Sequence, residues 1–336
     1  MNELILFVPI IASFLVALVL IPKWIKMAHH AKLIGKDLHK NYHVDMAEGG
    51  GLIVLIGFII GVFLYIAINT FYFHNESNMT EIFALTTVIL IAGFIGIIDD
   101  IMGWKTGLRR RVRIFLLFFA AIPLVIINAG SSEVYIPLLG ELQLGLFYPL
   151  LVIPIAVVGA STTFNFIAGY NCLEARQSIL LLSGLAIATW FTDNAWLTMI
   201  ALCMIAATIA LAIFNWNPAK LIPGDALTYA VGALIASIAI LGNIEKFAVF
   251  IFIPYIIEVF LKLRGKLEKQ SYGLPQEDGT IIPRYNKIYG LEHVALFTII
   301  KLKGKVTEEE VVWFINIFQI LIIILGFVIF RNGIFM

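Results

Sequence analysis

Four short polar clusters interrupt an otherwise apolar chain of 336 residues, and each holds side chains suited to metal or phosphate work. They are Gly35-Lys36-Asp37-Leu38-His39-Lys40 with Glu48 ahead of Gly49-Gly50-Gly51; Asp99-Asp100; Asn165 with Asn171 and Glu174; and Pro223-Gly224-Asp225. For an isolated Asp99-Asp100 pair a solvated helix end is the simpler reading. Against it, a carboxylate near hydrocarbon costs about 3 kcal/mol on insertion scales, so such residues usually have a purpose. Adjacent acids also repel, which raises one pKa and makes a base or a shared metal ligand. Asp225 follows Pro-Gly and precedes an apolar run, the form of a helix N-cap, a role that does not exclude holding a cation. With the neutral oxygen of Asn165 the donor set is all oxygen, which suits Mg²⁺, with Mn²⁺ as the alternative, better than zinc. No His-Glu-x-x-His spacing occurs.

The cations divide in the same way. Arg109 to Arg113 read first as anchors for anionic lipid headgroups, and in a sharper reading as guanidinium clamps on phosphate. His293 is placed to reach an anionic group from the same side, whereas His29, His30 and His39 read as solvated loop residues. Gly49-Gly50-Gly51 fits either close approach of backbone to a ligand or tight packing of the next helix.

The elements that must position these clusters are membrane helices. Hydrophobic residues make up 61% of the chain and charged ones only 13%, far outside the range of soluble domains. Apolar runs fall at 4–25, 52–73, 82–98, 114–129, 147–168, 178–191, 196–214, 227–241, 247–261 and 311–330. Backbone polar groups in lipid must bond within their own segment, so the expectation is an all-α integral membrane protein of about ten transmembrane helices. The fourth and sixth runs are short for a span. Alternate loops then place all but two of the 23 Lys and Arg on one side, leaving Lys246 and Arg331 opposite. The positive-inside rule makes the rich side cytoplasmic, puts both termini outside, and gathers all four polar clusters at the cytoplasmic face. A net charge of +1 with cations sorted by position suggests no nucleic-acid partner.

The first run has no basic leader or small-residue cleavage site and reads as a retained helix. Cys172 and Cys203 suggest neither a disulfide framework nor a thiolate metal site. Two N-x-S/T sequons, at Asn75 and Asn78, fall in an outer loop. Glu133–Gly145 alternates Val134, Ile136 and Leu138 with polar residues and predicts an outer hairpin. Loop 265–291 is rich in turn residues, with a strand expected after Asp278-Gly279, and predicts a small cytoplasmic lobe between the ninth and tenth spans; His293–Leu302 predicts an amphipathic helix on the inner face. The chain reads as a single polytopic domain over 1–336.

In order, Gly35-x-Asp37-x-x-Lys40, Glu48-x-x-Gly51, Asp99-Asp100, Asn165-x-x-Ala-Gly-x-Asn171-x-Leu-Glu174 and Gly224-Asp225 resemble the polyprenyl-phosphate N-acetylhexosamine-1-phosphate transferases, glycosyltransferase family 4. The likeness runs from about Gly35 to the last helix. It is closer to the dolichyl-phosphate N-acetylglucosamine-phosphotransferases of eukaryotes and archaea than to the bacterial phospho-MurNAc-pentapeptide translocases. The resemblance implies transfer of sugar-1-phosphate from a UDP-N-acetylhexosamine to a polyprenyl or dolichyl phosphate, with release of UMP and a requirement for Mg²⁺. It implies that Asp225 and Asn165 bind the metal, that Asn171 contacts uracil, and that Asp99 and Asp100 position or deprotonate the lipid phosphate. Lys40, Glu48 and Glu174 would line the substrate site, and Arg113 stands where the family has a phosphate-binding lysine. The Arg-His-Arg segment of the eukaryotic loop is missing; this loop reads Asp278-Gly-Thr-Ile-Ile-Pro283-Arg284, so Arg284 and Lys287 are the nearest cations. Ala47 replaces a proline usual before the glutamate.

Of the rivals, an ion-coupled transporter needs carboxylates near the bilayer midplane and an internal repeat, and the acids here lie at the ends of runs. An intramembrane aspartyl protease needs two facing aspartates, a role open to Asp100 and Asp225. Neither explains Asn165, Asn171 and the Glu48 loop. The expected partners are the UDP-sugar, the polyprenyl phosphate and membrane lipids, with a homodimer left open; the same reaction with another UDP-sugar is the alternative.

Overall fold

The computed structural model describes residues 2–40, 44–131, 133–136 and 140–334. The apolar runs are predominantly helical. In order, α1 is Phe7–His30, α2 Gly50–Ile68, α3 Met79–Thr106, α4 Arg110–Ala120, α5 Ile122–Ile126, α6 Ile153–Phe164, α7 Leu173–Phe191, α8 Ala195–Asn215, α9 Asp225–Leu241, α10 Glu245–Ile251, α11 Ile253–Arg264, α12 Leu291–Lys303 and α13 Glu308–Ile329. Among the described residues six stretches are long and apolar enough to cross a membrane: Leu4–His30, Gly50–Phe73, Met79–Gly103, Tyr148–Ile167, Ala195–Asn215 and Glu308–Ile329. The fourth and ninth runs are each divided. Pro123 at the start of α5 and Pro254 at the start of α11 cannot donate to the preceding turn, so the helix breaks just ahead of each.

Among the described residues three two-stranded pieces join the helices. β1 (Ile34–Lys36) pairs antiparallel with β2 (Asp45–Ala47), Gly35 opposite Met46. β3 (Glu133–Ile136) pairs with β4 (Gly140–Gln143), the expected hairpin. The residues joining these two strands, Leu138 among them, and the side chain of Lys105 lie outside what is described. In the lobe, β5 (Leu274–Pro275) pairs with β6 (Ile281–Ile282) across the Asp278-Gly279 turn. Buried charge anchors the lobe: Glu258 Oε2 accepts from the Leu291 amide at 2.6 Å, and Lys262 Nζ lies 3.2 Å from Glu258 Oε1.

The centre of the bundle is α9. Every residue from Ala226 to Ile240 is buried, as expected of a helix apolar all round, and α2, α3, α6, α7 and α10 pack against it. Small residues let its first turn come close to its neighbours. A methyl group at Gly51 would lie 2.3 Å from the Leu227 nitrogen, so this part of the triple glycine serves helix packing. At Gly96 it would lie 2.4 Å from the Asp225 carbonyl oxygen and 2.5 Å from the Ala226 nitrogen. Backbone cannot step aside as a flexible side chain does, so Gly96→Ala must push α3 away from α9. We expect it to cost about 1–3 kcal/mol, the usual range for overpacking, read as a lower melting temperature of the detergent-solubilised protein.

Candidate active site

One end of the bundle gathers the acids. Asp99 and Asp100 are consecutive on α3, so their side chains leave the axis about 100° apart and serve different partners. Asp100 faces α9: its Oδ1 accepts from the Asp225 amide at 2.7 Å and its Oδ2 from the Ala226 amide at 3.2 Å. A helix start leaves such amides without intrahelical partners. Gly224, the residue before the helix, has no side chain to offer them, and Asp100 caps α9 from another helix. The expectation that Asp225 caps its own helix is thereby corrected: Asp225 is the first helical residue, and its carboxylate is turned to the site.

Asp99 faces α4. Its Oδ1 accepts from the Leu108 amide at 2.6 Å, and its Oδ2 lies 2.9 Å from Nη2 of Arg113. The same guanidinium reaches α9, with Nη1 3.4 Å from Asp225 Oδ2 and 3.1 Å from the Tyr229 hydroxyl, to which it donates. Its Nε donates to the Leu108 carbonyl at 2.9 Å, which fixes the plane of the group. Asn165, just past α6, donates from Nδ2 to the same tyrosine hydroxyl at 3.4 Å. Arg113, Asn165, Asp99 and Asp225 thus converge around Tyr229. Sequence reasoning passed over Tyr229, a polar tip in an apolar run; the available signal was its spacing, four residues after Asp225 and so on the same helix face.

The Glu48 loop is tied to this end by backbone. Ala47 donates to the Lys220 carbonyl at 3.2 Å and accepts from Ile222 at 2.7 Å, while Gly51 donates to the Pro223 carbonyl at 2.7 Å. Trp24 holds the Glu48 carbonyl through its indole N–H at 2.8 Å. Burial pushes the Glu48 carboxyl above its usual range. Glu48 and Asp100 share a cleft whose other walls are apolar, among them Trp24, Leu33, Leu52 and Ile101.

The resemblance implies a metal held by Asp225 and Asn165. The Asn165 side-chain nitrogen donates to Tyr229, and no described group donates to its side-chain oxygen Oδ1. Asp225 meets Arg113 only at 3.4 Å. A carboxylate and an amide oxygen gathered around the same tyrosine and arginine are hard-cation donors, so the residues present fit Mg²⁺.

The glycosyl transferase family 4 profile matches residues 82–243, which contain Asp99, Asp100, Arg113, Asn165, Asn171, Glu174, Asp225 and Tyr229. A Saccharolobus solfataricus protein, provisionally named UDP-N-acetylglucosamine–dolichyl-phosphate N-acetylglucosaminephosphotransferase, is 33% identical across 93% of this chain and 92% of its own length. The chain belongs to glycosyltransferase family 4. A Dictyostelium discoideum protein carrying the same enzyme name without qualification is 28% identical across 92% of the chain and 84% of its own length. A Streptococcus agalactiae phospho-N-acetylmuramoyl-pentapeptide-transferase is 26% identical across 74% of the chain and 76% of its own length.

In this family 4 chain a second polar cluster lies outside the matched segment's acids, around Asn171. Its amide Nδ2 donates to Asp37 Oδ2 at 2.9 Å and to Glu308 Oε2 at 3.4 Å, and its backbone N–H donates to Glu308 Oε1 at 2.8 Å. Lys40 Nζ donates to Glu308 Oε2 at 3.2 Å and to Asn217 Oδ1 at 2.9 Å. His39 is buried against the Tyr170 ring, centroids 4.1 Å apart, which corrects the expectation of a solvated loop histidine. Burial, with Lys40 and Arg284 adding to it against Asp37, pushes its pKa down to about 4, so the imidazole is neutral and its 3.6 Å approach to Glu308 is no ion pair. Donor atoms of Asp37, His39 and Glu308 lie within 4.8 Å of one another, a metal-like spacing. Lys40 and the Asn171 N–H groups already hold these carboxylates.

The remaining predicted residues are more scattered. Glu174 is buried and accepts from the Gly169 amide at 2.7 Å, so it shapes the Asn165–Asn171 turn from within. Arg284 is exposed on the lobe, bonded to Gln270, and close enough for its charge to bear on His39 and Tyr272. His293 is fully buried at the start of α12, where its Nδ1 accepts from the Tyr289 amide at 3.1 Å and burial pushes its pKa down to about 4. That places a neutral ring under the lobe in place of a cation at the inner surface. Arg110 donates to the Leu267 carbonyl and ties α4 to the lobe.

Proposed function

We propose that this chain transfers N-acetylhexosamine-1-phosphate, GlcNAc-1-phosphate above the alternatives, from a UDP-sugar to a polyprenyl or dolichyl phosphate and releases UMP. The observation that carries the reading is the Asp99–Arg113–Asp225–Asn165 convergence on Tyr229 at one end of a bundle of apolar helices. The names of the archaeal and amoebal relatives support the donor and acceptor, while the streptococcal relative keeps a different UDP-sugar as the second reading. On this reading the chain is an integral membrane protein of the cell membrane or an ER-type membrane. The α4–α5 pair, α7, α9 and the α10–α11 pair join the six long helices as spans. Both termini lie outside, and the cation-rich end faces the cytoplasm, where UDP-sugars and the headgroup of the acceptor meet.

A phosphate oxygen of the lipid attacks the β-phosphorus of the UDP-sugar; a new P–O bond forms as the bond to UMP breaks. Arg113, its guanidinium oriented by Asp99 and the Leu108 carbonyl, supplies positive charge to the oxygens on which negative charge collects. Asp225 and Asn165 would hold Mg²⁺, which when bound supplies charge neutralisation at the diphosphate. Asp99 faces the acceptor side as the group that orients or deprotonates the lipid phosphate, or that takes up the sugar-phosphate covalently.

The test is UMP release by the purified protein from UDP-GlcNAc, UDP-GalNAc and UDP-MurNAc-pentapeptide, each with and without one polyprenyl phosphate. UMP is expected only with the lipid present, and chelation by EDTA is expected to abolish it until Mg²⁺ is returned. Equal UMP release without the lipid overturns the transferase reading.

A further inference from the structure

The root of the lobe holds a group of buried charges that the transfer reaction does not use. Glu292, at the start of α12, is fully buried, and among the described residues neither of its carboxylate oxygens meets a donor at hydrogen-bonding geometry. On α11, Glu258 is fully buried as well; its Oε2 accepts from the Leu291 amide at 2.6 Å and its Oε1 lies 3.2 Å from Lys262 Nζ. Lys262 also donates to the Ser271 hydroxyl of the lobe. All of them crowd around Gly290, where a methyl group would lie 2.3 Å from Glu292 Oε2, 3.0 Å from Glu258 Oε1 and 3.4 Å from Ser271 Oγ. Two acids therefore share one ammonium in a space closed to water.

An ionised carboxylate buried without a partner is so unfavourable that the group takes up a proton instead. A metal ion is the other way to balance the second acid, but a hard cation calls for about six oxygens around it, and the packing at Gly290 has no room even for a methyl group. A proton needs no room. Carried by Glu292, it removes the repulsion between the acids and leaves Lys262 balanced by Glu258. Burial holds the Glu292 carboxyl above its usual range, against the pull of Lys262 and Ser271. Glu174 on α7 and the rings of Tyr170 and Tyr272 stand close enough to feel its charge, and His293 beside it is neutral.

We propose that Glu258, Lys262 and Glu292 form a latch that seats the lobe on the Asn165–Asn171 turn while the two acids hold one proton between them. The seat is direct. The Tyr170 hydroxyl donates to the Ser271 carbonyl at 3.3 Å, and Tyr272 lies on Gly169, where a methyl group would come 2.3 Å from its ring. Ser271 thus meets Lys262 with its side chain and the turn with its backbone. A carboxyl that binds its proton more tightly in the seated state gives stability that is complete at acid pH and is lost as pH rises through its seated pKa. The lobe accordingly loosens toward alkaline pH, and one proton changes the seating equilibrium by at most about tenfold per pH unit.

The experiment is hydrogen–deuterium exchange of the full-length protein in detergent from about pH 6 to about pH 9, followed at the amides of residues 165–172 and 270–292. Each wild-type rate is divided by that of Glu292→Gln at the same pH. Glutamine is neutral throughout and stands in for the protonated acid, so the division cancels the intrinsic pH dependence of exchange. Neither UDP-sugar nor lipid is present, and the outcome stands apart from the transferase reading. The ratio is expected to be close to one at the acid end and to rise toward the alkaline end by up to about tenfold per pH unit. Glu258→Gln removes the same charge and is expected to be as flat as Glu292→Gln, which makes it the reference where Glu292→Gln does not fold. Lys262→Met leaves two acids with no cation, so its seated state needs two protons, and its rise is expected about one pH unit or more below that of the wild type. A wild-type ratio that stays flat to the alkaline end against either reference overturns the proposal. So does a folded Lys262→Met variant whose rise falls at the wild-type pH.

Discussion

Arg113→Ala is expected to lower lipid-dependent UMP release by about 10²–10³, the usual loss when one preorganised stabiliser of transition-state charge is removed. The size follows from what the guanidinium joins. It lies 2.9 Å from Asp99 on α3 and 3.4 Å from Asp225 on α9, and donates to Tyr229 at 3.1 Å while its Nε is held by Leu108. No side chain with a single charged nitrogen can meet all of these at once. Arg113→Lys is therefore expected to retain charge and part of the activity, about tenfold below wild type, because one ammonium must choose between Asp99 and the phosphate oxygens. Arg110→Ala is the comparison: Arg110 donates to a lobe carbonyl, and UMP release is expected to stay within about twofold of wild type, the small effect usual for an exposed surface contact. Equal losses at 110 and 113 would mean that the cationic stretch acts as a whole, through membrane anchoring, and would sink the assignment of Arg113.

What the residues announced and what they concealed divide along physical lines. Helices were legible because long apolar runs in lipid have only one way to satisfy their backbone, and every run proved predominantly helical. The prolines that divide α4 from α5 and α10 from α11 are in plain view, yet a hydropathy pattern continues across them. Asp99, Asp100, Asn165 and Asp225 stood out as polar interruptions at run ends, and the structure gathers them at one end. Which acid faces which partner was not legible, because it depends on how far α3 is turned about its own axis when Gly96 packs on α9. Tyr229 and Glu308 were missed for a related reason: each gains its meaning from a residue distant in sequence. His39 was misjudged because the stretch around it is polar and read as a loop. The rings of Tyr170 and Tyr272, 4.1 and 5.6 Å from it, arrive from elsewhere in the chain and bury it.

The adjacent aspartates yield the sharpest separation. Asp99→Asn keeps an oxygen for the Leu108 amide but exchanges the charge that faces Arg113 for a neutral amide. The expected result is a fall of about 10²–10³ in kcat. Asp100→Asn acts through a different route. One of its two accepting oxygens becomes an NH₂ group facing a helix-start N–H, so the cap on α9 is half lost. Losing a cap costs about 1 kcal/mol, and here the first turn that moves is the one carrying Asp225. The expected signature is a lower melting temperature together with a higher Mg²⁺ concentration for half-maximal UMP release, and a maximal rate within about tenfold of wild type, as an indirect effect on a ligand's position allows. Near-normal turnover of Asp99→Asn with the lipid acceptor would rule out both the base and the covalent role for Asp99. Identical kinetic signatures for the two variants would mean that the pair acts as one unit, in spite of the separate partners that α3 gives its two side chains.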